Sequence, residues 1–424
     1  GTATDLSQIA GHFSEVVIGS ANPAERGNVT IDATSGEGTT DNALRVYAHD
    51  FTATAGLMKS TGGDILIDAE GIVKVTGSSG TAIEAAGDLT IAYRAILEDA
   101  SVDLTQQLTF DRTIKGANVR LQQKNQGNLR LGSNGLSNTP GITANSLGNI
   151  SVTAADGTIY IGGKATYNAD DTTNWPALDV EGAIGPVNAN LTLDFNYIGL
   201  AQNLSLASGK TLTLESNRGV NQTGGSITAN QLMLAGSGDV TLTGGSANNI
   251  GSLAIDATGN IGVKSASSAV SLGDISNVAS LTMTGASSYT VSGVVTAVGD
   301  VLLDTSASTI TIGSGGQIVS LQGDVTLDAG TTGKFVNNRG ADAVAAAGRW
   351  TIWTKGWANG VTENQFGPTS DANSVLSSGN GAVWGASWSG TDASRTSVLT
   401  GNGYENGNRY IFASALPEVE AGVL

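Results

Sequence analysis

Nine times along the chain a glycine is followed by Asp or Asn and then by a three-residue run that is apolar at its first and third positions and, in six copies, polar between them. The copies begin at Gly27, Gly63, Gly87, Gly127, Gly148, Gly238, Gly259, Gly299 and Gly323, as in Gly63-Asp64-Ile65-Leu66-Ile67 and Gly238-Asp239-Val240-Thr241-Leu242. Several copies fall in neighbouring pairs 21 or 24 residues apart: Gly63 with Gly87, Gly127 with Gly148, Gly238 with Gly259, and Gly299 with Gly323. Period-2 alternation means a strand with one face inside, because successive side chains leave a strand on opposite sides. A repeat of about 20–25 residues is the length of one solenoid coil of short strands, each coil stacking on the last. Glycine with Asp or Asn at the head of each strand suits a corner, since glycine accepts positive φ and the short polar side chain caps backbone N–H groups. The expectation is an all-β, right-handed parallel β-helix (β-solenoid), with Val240 and Leu242 inside and Thr241 outside.

Composition supports this and closes other routes. Glycine contributes 59 of 424 residues, charged residues only 13% and aromatics 5%, which does not describe a helical protein with ion-paired surfaces. A net charge of −17 with 20 Lys and Arg argues against a nucleic-acid partner, whose phosphates must be neutralised by cations. There is no cysteine, so packing and ladder hydrogen bonds must hold the chain. No apolar run approaches the length of a membrane span, and Gly1 opens no signal peptide, so the chain reads as a mature segment whose targeting parts lie elsewhere.

The regularity predicts a solenoid of roughly 15 coils over residues 1–333, with a loop excursion near 163–190. That excursion contains Asp170, Asp171, Trp175 and Pro176, and loops on a rigid scaffold are where binding usually sits. From residue 334 to 424 the phrase disappears and Trp350, Trp353, Trp357, Trp384 and Trp388 crowd together. This stretch is expected to be an aromatic-rich C-terminal capping module, since solenoids need atypical terminal units.

Residues Val220-Asn221-Gln222-Thr223-Gly224-Gly225-Ser226-Ile227-Thr228, followed by Leu232, Leu234 and Gly238-Asp239-Val240-Thr241-Leu242, resemble the haemagglutinin-type repeats of two-partner-secreted, filamentous-haemagglutinin-like exoproteins. Asn248-Asn249-Ile250-Gly251-Ser252-Leu253 with Gly259-Asn260-Ile261 fits the same pattern. Phe335-Val336-Asn337-Asn338, Gly348-Arg349-Trp350 and Gly407-Asn408-Arg409-Tyr410-Ile411-Phe412 resemble the segment that closes the repeat region. The likeness covers about residues 200–424, and residues 1–200 are compatible with it. It implies export through an outer-membrane pore and display on, or release from, a Gram-negative cell. The family's secretion domain carries Asn-Pro motifs. Asn22-Pro23 stands in a different context, so that domain is expected outside this chain.

Catalysis finds little footing in the sequence. Asp170 and Asp171 would point to opposite faces of a strand, and as loop residues they read as solvated turn positions or as ligand contacts. Asp64, Asp88, Asp239, Asp300 and Asp324 could stack as a Ca²⁺ column, but the Gly-Gly-x-Gly-x-Asp pattern of calcium β-rolls is missing; no other cofactor is expected. His12 and His49, the two histidines, sit in no metal or triad pattern. Arg112, Lys115, Arg120, Lys124 and Arg130 form a local basic stripe that reads either as an acidic-glycan surface or as an outer face balanced by carboxylates. Trp384 and Trp388 read either as sugar platforms or as cap core. The function expected is an elongated adhesin without catalysis, meeting glycans or proteins of host or neighbouring cells. The rivals are a filament subunit stacking end to end on copies of itself and a polysaccharide-active enzyme.

Overall fold

The computed structural model describes residues 13–32, 38–94, 108–125, 127–132, 141–163, 177–246, 248–305, 308–358, 361–362, 364–371 and 374–416. With 51% strand and 5% helix the chain is all-β, and it forms a parallel β-solenoid of about 13 turns. It divides into two compact units, residues 1–230 and 231–424.

In the N-terminal unit the main ladder runs in parallel through Ala43–Ala48, Ile65–Ala69, Leu89–Tyr93, Val119–Gln123, Thr158–Gly162, Asn190–Asp194 and Thr211–Glu215. Further ladders close the coil, one from Val29–Asp32 to Leu108–Phe110 and another from Thr39–Thr40 to Ile150–Val152. The alternation does what the sequence predicts: Ile65, Ile67 and Ala69 are buried while Leu66 and Asp68 face outward. Each large inward side chain contributes about 1.5–3 kcal/mol, and register is enforced because a one-residue slip would turn the whole set outward.

There are fewer coils than the repeat phrase predicts because several coils of this unit are longer than the phrase spacing. Rung to rung, Ile67 to Ile91 is a short step of the kind seen between neighbouring phrase copies. Ile91 to Leu121, Leu121 to Ile161 and Ile161 to Leu193 each take up more chain, and Leu193 to Leu214 returns to the short step. A solenoid tolerates such insertions because they leave at the corners, where the ladder makes no demand on them. Of the excursion expected near 163–190, residues 164–176 lie outside the described residues, and with them Asp170, Asp171 and Trp175. Residues beyond them are ladder: Ala177–Val180 and Ile184–Val187 pair in parallel with Tyr197–Leu200 and Leu204–Leu206.

Corner chemistry follows two rules. The Asp or Asn of the repeat phrase caps the next coil: Asp64 Oδ1 accepts from the Asp88 amide at 2.8 Å, Asp239 from Asn260 at 2.8 Å, Asp300 from Asp324 at 2.8 Å and Asp324 from Arg349 at 2.9 Å. A second device was not anticipated. At Ser60-x-x-Gly63, Ser216-x-x-Gly219 and Ser320-x-x-Gly323 a buried serine Oγ accepts from the glycine N–H at 3.0, 3.0 and 2.9 Å. The same hydroxyl donates to the Asn42, Asn196 or Gly299 carbonyl at 2.8, 2.6 and 2.7 Å, so a buried polar group is satisfied in both roles. At Gly162, φ is +143° and a Cβ would lie 2.1 Å from the Asp194 carbonyl oxygen, so only glycine lets the coils approach there.

In the C-terminal unit one ladder runs through Val240–Leu242, Asn260–Lys264, Ser280–Thr284, Val301–Asp304, Val325–Asp328, Trp350–Thr354 and Arg409–Phe412. The long strand Val270–Val278 gives way to two shorter ones, Ser288–Val291 and Val294–Ala297, each starting its own ladder. Rungs therefore extend past residue 333: Phe335 pairs with Ile310, Trp350 with Val325 and Tyr410 with Ile352. The outer edge of the last strand is covered. Val383 N–H donates to Tyr410 O at 3.0 Å, Phe412 N–H to Val383 O at 2.8 Å and Ala386 N–H to Phe412 O at 3.0 Å. Edge groups filled this way cannot template another strand. Among the described residues no helix is long and apolar enough to cross a membrane.

Candidate functional site

The C-terminal ladder places Lys264, Thr284, Asp304, Asp328 and Trp353 at successive positions of one column. The first four form the floor of a cleft of about 460 Å³, walled by Thr331, Trp388, Ser389 and Gly390. Asp304 and Asp328 stack because the phrases Gly299-Asp300-Val301-Leu302-Leu303-Asp304 and Gly323-Asp324-Val325-Thr326-Leu327-Asp328 each end in aspartate at the same offset.

The helix Asp392–Gly401 is held onto this column by two buried side chains, Leu399 in the core with Trp353 and Arg395 on the aspartates. Thr391 caps its N-terminus by accepting from the Ser394 amide, which sets the helix start so that Arg395 reaches the ladder. Arg395 Nη1 donates to Asp328 Oδ2 at 2.7 Å, to Asp304 Oδ2 at 3.2 Å and to the Gly390 carbonyl at 3.0 Å, while Nη2 meets Asp392 Oδ1 at 2.6 Å. Asp328 is wholly buried and also accepts from the Gly330 amide at 2.9 Å and from Trp388 Nε1 at 3.0 and 3.1 Å. Both of its oxygens are occupied, which leaves Asp304 as the carboxylate facing the cleft. Burial, then the neighbouring Asp328 charge, pushes Asp304 from 3.8 up to about 6 against the pull of Arg395.

That shift has a definite sign. The folded value lies above the unfolded one, so Asp304 stabilises the C-terminal unit fully below about 3.8 and withdraws that support as pH rises through about 6. Asp304→Asn, which cannot ionise, is expected to unfold at higher urea than the wild type at pH 7.5 and to match it near pH 4. Urea midpoints of both proteins across that range check this; a variant less stable at pH 7.5 would reverse the sign.

The two expected tryptophans take different roles, and only Trp388 lines this cleft. Trp388 is buried, packs edge-on to Trp353 at 5.2 Å between centroids, and gives its N–H to Asp328. It belongs to a core of Trp353, Val383, Trp388, Leu399 and Ile411. Trp384 is half-buried and tilted over Phe412 at 4.4 Å. Asp304, Asp328 and Arg395 were missed by sequence reasoning. The aspartates had a legible signal in their common offset from the phrase glycines Gly299 and Gly323, whereas Arg395 sits in a segment with no repeat to index it.

The other expected features resolve as follows. Most of the basic stripe is tied up within the protein, and among the described residues Arg120 alone of it has neither a carboxylate nor a carbonyl partner. Lys115 and Lys59 each meet Glu84 at 3.0 Å, Lys124 meets Asp68 and Glu70, Arg130 meets Glu181 at 3.1 Å, and Arg112 donates to the carbonyls of Gly56, Ser79 and Thr81. Burial opposes ionisation of Asp68, yet the hydrogen bonds from Arg26 and Lys124 hold it below the usual carboxylate range. The repeat-phrase aspartates hold backbone amides of the next coil, and among the described residues no group of three or more His, Asp or Glu side chains forms a metal site. His49 lies 3.4 Å from Asp50 on the surface; His12 is outside the described residues.

Compared with known proteins, the chain finds no counterpart: no family model, no curated protein and no solved structure matches it.

Proposed function

We propose that this chain is a secreted bacterial surface protein of the filamentous-haemagglutinin-like kind, an elongated adhesin that attaches to cells, surfaces or glycans without catalysis. The observation that supports it best is the separation of roles along the alternating strands of each unit. Inward positions make the core of the coil, and outward positions are released from packing and free to carry a contact surface repeated at the rung spacing. The cleft above Asp304 fits this reading as a terminal contact point, with its walls fixed by the Arg395 clasp. Its partners would be glycans or proteins of host or neighbouring cells, and its place the exterior of a Gram-negative cell.

The rival reading as an end-to-end filament subunit requires open ladder edges, and the covered edge of Arg409–Phe412 weighs against it. Electron microscopy of the purified chain, with and without calcium, separates the two. Single particles that bind cells or a glycan array are expected; long regular filaments would overturn the adhesin reading. Release of reducing ends or unsaturated sugars from a polysaccharide panel would overturn both.

A further inference from the structure

We propose that the outer face of the N-terminal unit carries a saccharide subsite between Arg120–Tyr160 and Asp88–Asn118, built for a neutral sugar with adjacent hydroxyls. Four consecutive rungs align Thr90, Arg120, Tyr160 and Thr192 in one outward column. Asp88, Asn118 and Thr158 form the corner column beside it, and a trough of about 300 Å³ runs between the two.

Both walls are held in place before any ligand arrives. The Arg120 guanidinium lies 4.1 Å above the Tyr160 ring centre, and the Tyr160 hydroxyl is anchored on the buried Asp194 carboxylate. On the opposite wall Asn118 donates to Asp88 Oδ1 through its amide N–H at 3.2 Å and through Nδ2 at 2.9 Å, and Asn118 Oδ1 receives the Thr158 amide at 2.9 Å. Side chains fixed in this way lose little conformational freedom on binding.

The chemistry left over selects the ligand. In the same unit Arg26, Arg45, Lys59, Lys115, Lys124 and Arg130 are each paired to carboxylates. Arg120 has no carboxylate partner among the described residues, so its fork of donors remains for a ligand. Asp88 Oδ2 likewise meets no protein donor among the described residues. A donor fork facing a carboxylate oxygen, with threonine hydroxyls between, matches a vicinal diol, which donates one proton and accepts another.

The same walls reject other partners. A polyanion would meet the Asp88 charge on a chain of net charge −17. An apolar peptide side chain would find no pocket, since Leu89 and Val119 are wholly buried and give the trough only backbone. The site rests on the attachment reading for its purpose, but its geometry is testable without it.

The test is calorimetry and ligand-observed NMR on the full chain with neutral oligosaccharides of β1,4-glucose, α1,4-glucose, β1,4-mannose and β1,4-N-acetylglucosamine, and with oligogalacturonate as the acidic probe. At least one neutral oligosaccharide is expected to bind, and Arg120→Ala is expected to weaken it about tenfold or more, as the loss of a charge-assisted hydrogen bond does. Asp88→Asn keeps the Oδ1 cap and changes only the free acceptor, so it is expected to weaken the same sugar while the unit stays folded. Arg130→Ala, away from the trough, is expected to leave binding unchanged. No neutral sugar bound at about 10 mM, binding indifferent to both variants, or preference for oligogalacturonate would overturn the site. Cell attachment, measured separately, tests the adhesin reading: attachment that survives in Arg120→Ala after sugar binding is lost would leave that reading standing on other contacts.

Discussion

Arg395→Ala is expected to destabilise the C-terminal unit by about 3–5 kcal/mol, the range found when one partner of a buried ion pair is removed. The guanidinium joins three carboxylates, of which Asp328 is wholly buried. Without it, Asp328 keeps the Gly330 and Trp388 donors but has no counter-charge, and the helix Asp392–Gly401 loses its polar tie to the ladder and is left with the packing of Leu399. Urea unfolding followed by tryptophan fluorescence reads this directly, because five of the six tryptophans lie between residues 350 and 388. The double variant Asp328→Asn/Arg395→Met is expected to recover at least half of the loss, since it removes both charges together. A loss under about 1 kcal/mol, the scale of an exposed ion pair, would mean that the clasp does not hold the helix.

The second large effect contrasts two neighbours on one strand of the N-terminal unit. Leu121→Ala is expected to cost about 2–5 kcal/mol through lost burial and the cavity left behind, because Leu121 is wholly inside the coil. Arg120→Ala, one residue earlier and outward, is expected to cost less than about 1 kcal/mol, the worth of an exposed cation–π contact. Thermal or urea midpoints of the two variants test the inward/outward assignment of the whole ladder, since Leu121 pairs with Ile91 and Ile161 and shares their orientation. Equal losses would contradict the register. A near-silent Arg120→Ala also makes that variant a sound probe of the proposed sugar site.

Parallel ladders and inward faces were readable because both depend on local periodicity. Ile65, Ile67, Val240, Leu242, Val301 and Leu303 alternate with outward residues in the sequence and do so in space. The cap by Asp or Asn was readable in kind, since its residues recur at the phrase head, although its reach to the next coil is a matter of stacking. The serine device at Ser60, Ser216 and Ser320 stayed hidden because serine and glycine are abundant everywhere in this chain and only their burial marks these pairs.

The sequence by itself determined the class of fold: period-2 runs headed by glycine and a short polar residue admit one economical packing, coil upon coil. The lengths of individual coils were decided only by the tertiary structure, because insertions at corners carry no periodic signal. The coils from Ile91 to Leu121 and from Leu121 to Ile161 are longer than the steps within the closely spaced phrase pairs such as Gly63 with Gly87 or Gly127 with Gly148, and nothing in the phrase announces it. Tertiary structure alone also decided which residues meet. Asp304 and Asp328 come from successive coils, and Arg395 joins them from a helix far along the chain. Arg120 and Tyr160 are distant in sequence and touch because they occupy adjacent rungs. Periodicity fixes which face a side chain takes, while stacking fixes its neighbours, and chemistry depends on neighbours.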